Sequence, residues 1–231
     1  MGEGQTYLLH EKRVKGRFDP LRDPFYTGPA MPTRRRGLLV VLEGIDGSGK
    51  TTQARALLRR LRRRGFRAAF FREPTRGRWG REIKRLAARA GSVTPEEELA
   101  LFVKDRRENV ARNLRPAVSA GKIVVLDRYY FSTIAYQGAK GLDTGRIRRM
   151  NEAFALRPDL VVILDVDARA GLARIRGRKR RDELFERADY LVRVRAIFLG
   201  LKGPRFVHID GRGDRRAVGR AIWSFVEPLL K

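Results

Sequence analysis

The chain has 231 residues, of which 42% are hydrophobic, and its 52 lysines and arginines against 26 acidic residues give a formal net charge of +26. This length predicts one ordinary domain with a full core. No apolar run is as long as a membrane span, which needs about 18 residues, and the N-terminus lacks the apolar stretch of a signal peptide. We therefore expect a cytoplasmic protein that does not enter membranes. The absence of cysteine excludes disulfides, a thiolate nucleophile and cysteine-ligated zinc.

The positive charge leaves two interpretations open. A basic surface attracts the phosphodiester backbone, so the charge could indicate a nucleic-acid binder. Alternatively, the composition is simply biased toward arginine, and the arginines lie on solvated helix faces. We favour the second interpretation, with nucleic acid not expected as a partner, because the sequence contains no recognised nucleic-acid-binding module.

Residues 1–36 differ from the rest of the chain. Four residue–proline pairs interrupt the segment, no hydrophobic period is sustained, and it ends in three consecutive arginines. We predict a basic N-terminal extension, partly disordered or lying on the surface, followed by a single domain over residues 37–231.

From residue 37 onward, apolar runs alternate with amphipathic helical patterns. The runs predict five strands, at Leu38–Leu42, Phe66–Phe71, Ile123–Leu126, Leu160–Leu164 and Phe206–Ile209, of which the first and third are expected to be buried. Strands separated by helices indicate an α/β fold with a parallel five-stranded sheet between two layers of helices. Charged residues follow the strands, where open α/β sheets bind their ligands. Between the second and third strands, Thr94 is predicted to cap a long helix that begins at Pro95.

The stretch between the first strand and the first helix matches a phosphate-binding loop. Gly44 to Thr51 reads Gly-Ile-Asp-Gly-Ser-Gly-Lys-Thr, which is the pattern Gly, four residues, Gly-Lys-Ser/Thr. Glycines allow successive backbone N–H groups to face one anion, and the helix N-terminus adds its partial positive charge. Lys50 is expected to reach the β- and γ-phosphates, and the Thr51 hydroxyl to ligate Mg²⁺.

Several motifs in order resemble the thymidylate kinases, a family of P-loop nucleoside monophosphate kinases. Besides the phosphate loop they are Arg72-Glu73-Pro74, Leu101-Phe102 with Asp105-Arg106, Asp127-Arg128-Tyr129, Ser132 to Gly138, Leu164-Asp165-Val166, and a basic loop leading to Phe185-Glu186. The resemblance covers residues 37–231. It implies an adenylate-kinase-like fold, ATP- and Mg²⁺-dependent conversion of dTMP to dTDP, and a homodimer.

The resemblance also implies residues for ATP, the metal and catalysis. ATP would contact the loop and an arginine beyond it: Gly44, Ile45, Asp46, Gly47, Ser48, Gly49, Lys50, Thr51, Thr52 and Arg174. Mg²⁺ would lie near Thr51, Asp46 and Asp127, although Asp127 could equally orient its neighbours. The catalytic residues would be Lys50, Arg128 and arginines of a lid over residues 176–186, with Arg178 and Arg181 as candidates.

For the acceptor nucleotide, the resemblance implies stacking of Phe102 on thymine, a hydrogen bond from Arg106 to a base carbonyl, and exclusion of a 2′-hydroxyl by Tyr136. The full implied set is Asp46, Glu73, Lys84, Phe102, Arg106, Arg128, Ser132, Thr133, Tyr136 and Gln137. From the residues alone, Phe102 could instead be core and Arg106 a solvated helix charge.

Two departures from the family pattern keep alternatives open. Bacterial relatives usually carry Gly-Gly after Arg-Glu-Pro, where this chain has Thr75 to Gly80, and Lys84 occupies a position where many relatives have arginine. A kinase of the same fold acting on another nucleotide or a nucleoside therefore remains the nearest rival. A nucleic-acid-binding P-loop protein is the rival from a different class.

Overall fold

The computed structural model describes residues 37–87, 93–174 and 181–231, and for residues 181–187 it describes the backbone alone. The predictions for the N-terminal extension, for Arg178 and for the first part of the lid, residues 176–180, lie outside these ranges. Within them, no helix combines the length and the apolar composition that crossing a membrane requires.

Five parallel strands form the sheet, as the sequence predicted. They are β1 (Leu38–Glu43), β2 (Ala68–Arg72), β3 (Ile123–Asp127), β4 (Leu160–Asp165) and β5 (Phe206–Asp210). Their order across the sheet is β2-β3-β1-β4-β5, so β1 lies in the centre between β3 and β4. Every residue of β1 is buried, which agrees with a strand covered on both faces.

Helices connect the strands in the described ranges. They are α1 (Lys50–Arg63), α2 (Arg78–Ala87), α3 (Pro95–Asn109), α4 (Arg115–Ser119), α5 (Tyr130–Gly138), α6 (Thr144–Glu152), α7 (Ala168–Arg174), α8 (Arg181–Gly200) and α9 (Arg215–Val226). A π-helical turn, Val110–Leu114, joins α3 to α4, and a 3₁₀ turn, Glu227–Leu230, follows α9. The sequence patterns did not predict α6 or the π-helical turn.

The sheet separates the interior into two apolar clusters. Alternate residues of β1 face opposite sides: Leu39 and Val41 belong to one cluster, and Val40 and Leu42 to the other. The first cluster is covered by helices α3 to α8. The second is covered by α1 and α9, which pack against each other and form the other helical layer.

The N-terminus of α3 confirms the predicted cap at Thr94. The Thr94 hydroxyl accepts a hydrogen bond from the Glu97 backbone N–H at 3.2 Å, and the Thr94 N–H donates to the Glu97 carboxylate at 2.8 Å. This reciprocal capping box fixes where the helix begins. Phe102 and Arg106, four residues apart, therefore lie on the same face of α3.

All five strands end at one edge of the sheet because they are parallel. Their last residues are charged: Glu43, Arg72, Asp127, Asp165 and Asp210. Open α/β sheets bind ligands outside these carboxyl ends. This edge carries the candidate site.

Candidate active site

The turn between β1 and α1 forms a cradle for an anion. Its backbone has positive φ at Gly44 (136°), Gly47 (80°) and Gly49 (92°), a region that favours glycine. The turn opens onto a cavity of about 570 Å³ lined by residues 46–53, by Arg72, Arg128 and Arg174, and by the loop after β5. Backbone N–H groups at a helix start and several cations around one cavity suit a chain of phosphates.

Lys50 is held inside this cradle. Its ammonium donates a hydrogen bond to the Ile45 carbonyl at 2.8 Å, and the side chain is buried. Burial, with Arg128 adding repulsion, lowers the pKa of Lys50 to about 7. A phosphate bound in the cradle would favour the charged form again, because the opposite charge offsets the cost of burial.

Gly47 is expected to be the least replaceable glycine of the loop, and Gly49 gives a matched control. A Cβ at Gly47 would lie 2.0 Å from the Gly171 carbonyl oxygen, whereas a Cβ at Gly49 would meet nothing within 4 Å. Both have positive φ, so Gly49→Ala is expected to cost about 1–2 kcal/mol of unfolding free energy and Gly47→Ala about twice that. Denaturant unfolding without nucleotide measures both, and equal losses would contradict the role of the Gly171 contact.

Thr51 and Asp127 lie together at the floor of the cradle. The Thr51 hydroxyl donates to Asp127 Oδ2 at 2.6 Å. The other oxygen, Oδ1, is buried and has no hydrogen-bond partner among the described residues. Over those same residues no group of three or more histidine, cysteine or acidic side chains could hold a metal alone. The arrangement fits Mg²⁺, which is usually held by one or two protein groups together with substrate phosphates and water.

Arg128 stands between the phosphate cradle and a second cavity. Its backbone is in the left-handed region, with φ 72°, and its N–H donates to the Leu42 carbonyl at 3.0 Å. Its guanidinium donates to Ser132 Oγ at 3.0 Å, to Asp46 Oδ1 at 2.5 Å and to the Tyr136 hydroxyl at 3.4 Å. A strained backbone held by this many partners is typical of a positioned functional side chain.

Glu43 is a residue that the sequence analysis did not place in the site. Its buried carboxylate accepts hydrogen bonds from the Tyr129 N–H at 2.7 Å, the Ser132 N–H at 3.1 Å and the Ser132 hydroxyl at 2.5 Å. Burial raises the pKa of Glu43 to about 7. These bonds tie β1 to two residues, Tyr129 and Ser132, that follow the Arg128 backbone kink. The sequence signal that could have identified Glu43 was a single carboxylate at the end of the apolar run of β1.

The second cavity, about 280 Å³, lies beside the first. It brings together nine of the ten residues expected for the acceptor nucleotide: Asp46, Glu73, Phe102, Arg106, Arg128, Ser132, Thr133, Tyr136 and Gln137. The tenth, Lys84, lies on the exposed side of α2 and does not line this cavity. Other lining residues were not expected, namely Arg72, Pro74, Glu98, Tyr129, Lys140 and Tyr190.

Arg106 is buried, so the interpretation of a solvated helix charge is wrong. Only 1% of its surface is exposed. Its Nε donates to Glu73 at 2.7 Å, Nη1 to Asn151 at 2.7 Å and Nη2 to Thr133 at 3.0 Å. Asn109 donates to the other oxygen of Glu73 at 2.9 Å. The protein thus uses three of the five guanidinium N–H groups and aims the side chain into the cavity wall.

The opposite wall carries Tyr136 and Gln137. The Tyr136 hydroxyl accepts from the Asp46 backbone N–H at 3.0 Å, which links this wall to the phosphate loop. Gln137 Nε2 donates to Glu98 at 2.7 Å, and Lys140 contacts the same carboxylate. Gln137 Oε1 is buried without a hydrogen-bond partner in the part of the chain described.

Comparison with known proteins agrees with this geometry. A sequence model described as thymidylate kinase matches residues 42–222. The chain belongs to the thymidylate kinase family. It is 45% identical over 194 residues to a thymidylate kinase of Xanthomonas campestris pv. campestris strain B100, covering 84% of this chain and 85% of the relative. It is 40% identical over 193 residues to a probable thymidylate kinase of Archaeoglobus fulgidus, covering 84% and 96%.

A solved structure of the family is similar as well. The crystal structure of thymidylate kinase from Ehrlichia chaffeensis matches with a TM-score of 0.67 and 28% identity, covering 83% of this chain and 98% of that one. The predicted family, thymidylate kinase, and the predicted three-layer fold of a P-loop nucleoside monophosphate kinase are thereby confirmed.

The loop after β2 shows how this thymidylate kinase family member differs from the usual Gly-Gly sequence. The Thr75 N–H and hydroxyl both donate to Asp105, at 2.8 and 2.5 Å. Gly80 packs so closely on this loop that a Cβ there would lie 2.0 Å from the Thr75 carbonyl oxygen. Asp105, next to Arg106, thus anchors the loop that follows Glu73.

Two of the arginines implied by the family resemblance can be placed in part. Arg174 donates to the Gly211 carbonyl at 3.0 Å and lies 3.5 Å from the Gly47 carbonyl, joining the phosphate loop to the loop after β5. Arg181 begins α8, where the structure gives its backbone alone, and Arg178 lies outside the described residues.

Proposed function

We propose that the chain transfers the γ-phosphoryl group of ATP to dTMP, giving ADP and dTDP, with Mg²⁺ as the metal. The observation that carries the proposal is the shared boundary of the two cavities. Asp46, Arg72 and Arg128 line both the phosphate cavity and the acceptor cavity. A phosphoryl group bound at this boundary would therefore be within reach of nucleotides on both sides, as an in-line transfer requires.

Positioning and charge neutralisation account for the proposed chemistry. An oxygen of the acceptor phosphate attacks the γ-phosphorus, and the bond to the β-phosphate oxygen breaks. Arg128, fixed by Asp46 and Ser132, holds the acceptor phosphate, while Lys50 and the loop N–H groups hold the donor phosphates. Bound Mg²⁺ supplies neutralisation of the developing charge on the phosphate oxygens, and Thr51 and Asp127 are the residues that would hold it. Lid arginines, Arg178 and Arg181 among them, are proposed to neutralise the remaining negative charge on the phosphates.

The acceptor cavity supports a pyrimidine deoxynucleotide. Phe102 offers a ring for stacking, and Arg106 offers its remaining N–H groups to a base carbonyl. Tyr136 is held against the phosphate loop through the Asp46 N–H, so its ring cannot move aside for a 2′-hydroxyl without breaking that bond. Thr133 and Gln137 line the same cavity near the base. Family membership supports two further parts of the proposal, a homodimer and a cytoplasmic location.

A panel of acceptors tests the proposal. ADP release with ATP and Mg²⁺ is expected with dTMP, more weakly with dUMP, and at about a hundredth of that efficiency or less with purine monophosphates. Lys50→Ala should abolish turnover. Tyr136→Ala should raise the turnover of UMP relative to dUMP, while Tyr190→Phe, which removes only the bond to the Tyr136 carbonyl, should not. Preference for another monophosphate would retain the fold and refute the assignment of the base pocket.

A further inference from the structure

The helical layer formed by α1 and α9 contains no acidic residue. The 14 residues of α1 include five arginines and a lysine, and the 12 residues of α9 include three arginines, without aspartate or glutamate in either helix. In the other layer, α3 alone carries five carboxylates. An arginine bias that merely decorated solvated surfaces would spread carboxylates over both layers. Basic residues are thus the charged side chains within these two helices, while Asp214 caps the start of α9 and Glu227, paired with Arg64, follows its end.

A groove runs along the line where α1 and α9 meet. Its volume is about 280 Å³, and five arginines line it: Arg60, Arg63, Arg215, Arg216 and Arg220. No carboxylate lines the groove, and none of the five makes an ion pair with a carboxylate among the residues that the structure describes. Like charges gathered without a counter-charge raise the local positive potential, which a bound polyanion would relieve.

The groove is partly preorganised and continues into the phosphate cavity. The Arg60 guanidinium lies 4.0 Å from the centroid of the Trp223 ring, a cation–π contact that fixes its direction. Gln53 and Arg215 line both the groove and the phosphate cavity. The chain's own residues 1–36 are not a complementary occupant, since they hold eight lysines and arginines and four acidic residues.

We propose that the α1–α9 groove binds the phosphodiester backbone of single-stranded nucleic acid without regard to sequence. Arginines three or four positions apart on one helix, such as Arg60 with Arg63 and Arg216 with Arg220, are offset by about 4.5–6 Å along its axis, which is suited to successive phosphates of an extended strand. No aromatic ring of the described residues lines the groove to stack a base, so the proposed contacts are to the backbone.

Two triple variants with the same loss of charge test this proposal. The first replaces exposed groove arginines, Arg63→Gln, Arg216→Gln and Arg220→Gln. The control replaces exposed arginines of the opposite layer, Arg107→Gln, Arg146→Gln and Arg169→Gln. Binding of a fluorescent, mixed-sequence single-stranded DNA of about 20 nucleotides is followed by anisotropy, between about 0.05 and 0.2 M salt.

If the groove is the site, the groove triple should bind about a hundredfold more weakly at about 0.1 M salt, and the slope of log affinity against log salt should flatten by about 2. The control triple should stay within about threefold of the parent. Equal losses in both triples would show attraction by net charge alone and overturn the proposal. So would absence of binding by the parent, or groove-dependent binding of anionic lipid vesicles or polyphosphate in preference to DNA. Turnover of dTMP should be unchanged in both triples, since none of these residues lines a substrate cavity.

Discussion

Arg128→Ala should lower kcat about 10³-fold, and Arg128→Lys about 10²-fold. Alanine removes every contact of the guanidinium to Ser132, Asp46 and Tyr136. Lysine retains the charge but has no planar fork, so it cannot meet these partners and two phosphate oxygens at once. Steady-state kinetics with dTMP as the varied substrate measure both effects, and the loss should appear in kcat rather than in the KM for ATP.

Arg195 provides a matched control for the lysine variant. It also makes a two-pronged contact with a carboxylate, Asp165, at 2.6 and 2.8 Å, but it lines neither cavity. Arg195→Lys is expected to leave kcat within about twofold of the parent, because neither Arg195 nor Asp165 lines a substrate cavity. An Arg128→Lys enzyme with parental kcat would remove Arg128 from the proposed chemistry.

Glu73→Gln should be the most destabilising single change at the acceptor cavity, by about 3 kcal/mol of unfolding free energy. Glutamine keeps the shape but leaves the Arg106 guanidinium buried without its counter-charge. For a chain of this size the loss corresponds to a fall in Tm of about 10 °C. The KM for dTMP should also rise, because the Glu73 carboxylate would no longer fix the direction of the Arg106 guanidinium.

The double variant Glu73→Gln with Arg106→Leu separates this ion pair from simple packing. Removing both charges takes away the unpaired guanidinium, so the double variant should be more stable than the sum of the two single losses predicts, by about 1–3 kcal/mol. Strict additivity in thermal unfolding would mean that the contact between Glu73 and Arg106 contributes no coupling.

The sheet and the phosphate loop could be predicted because their signals are local. A buried parallel strand appears as an unbroken apolar run, and the loop as glycines followed by lysine and threonine. Helix α6 gave no such signal, because Ile147 and Met150 are its only large apolar residues. The π-helical turn after α3 depends on how the chain packs between α3 and α4, and this packing cannot be inferred from the residue types of the segment.

The residues of the candidate site likewise include some that local sequence signals predicted and some that they did not. Arg128, Phe102 and Tyr136 belong to contiguous motifs, and they line the predicted cavities. The network around Arg106 could not be read from the sequence, because its partner Asn151 lies 45 residues away on the helix that was missed. The role predicted for Lys84 stays a prediction: Thr75 bonds to Asp105, and the loop so held leads into α2, where Lys84 faces solvent and does not line the acceptor cavity.

The division of the interior by the sheet has a consequence for how substrate preference can change. Residues of α3, α5 and α8, all on one side, line the acceptor cavity, whereas residues of α1 and α9 on the other side line the phosphate cavity. Repacking one side would alter which nucleobase is accepted, while the apparatus that holds and transfers the phosphoryl group stayed intact. Selectivity and catalysis could then diverge separately in descendants of this chain.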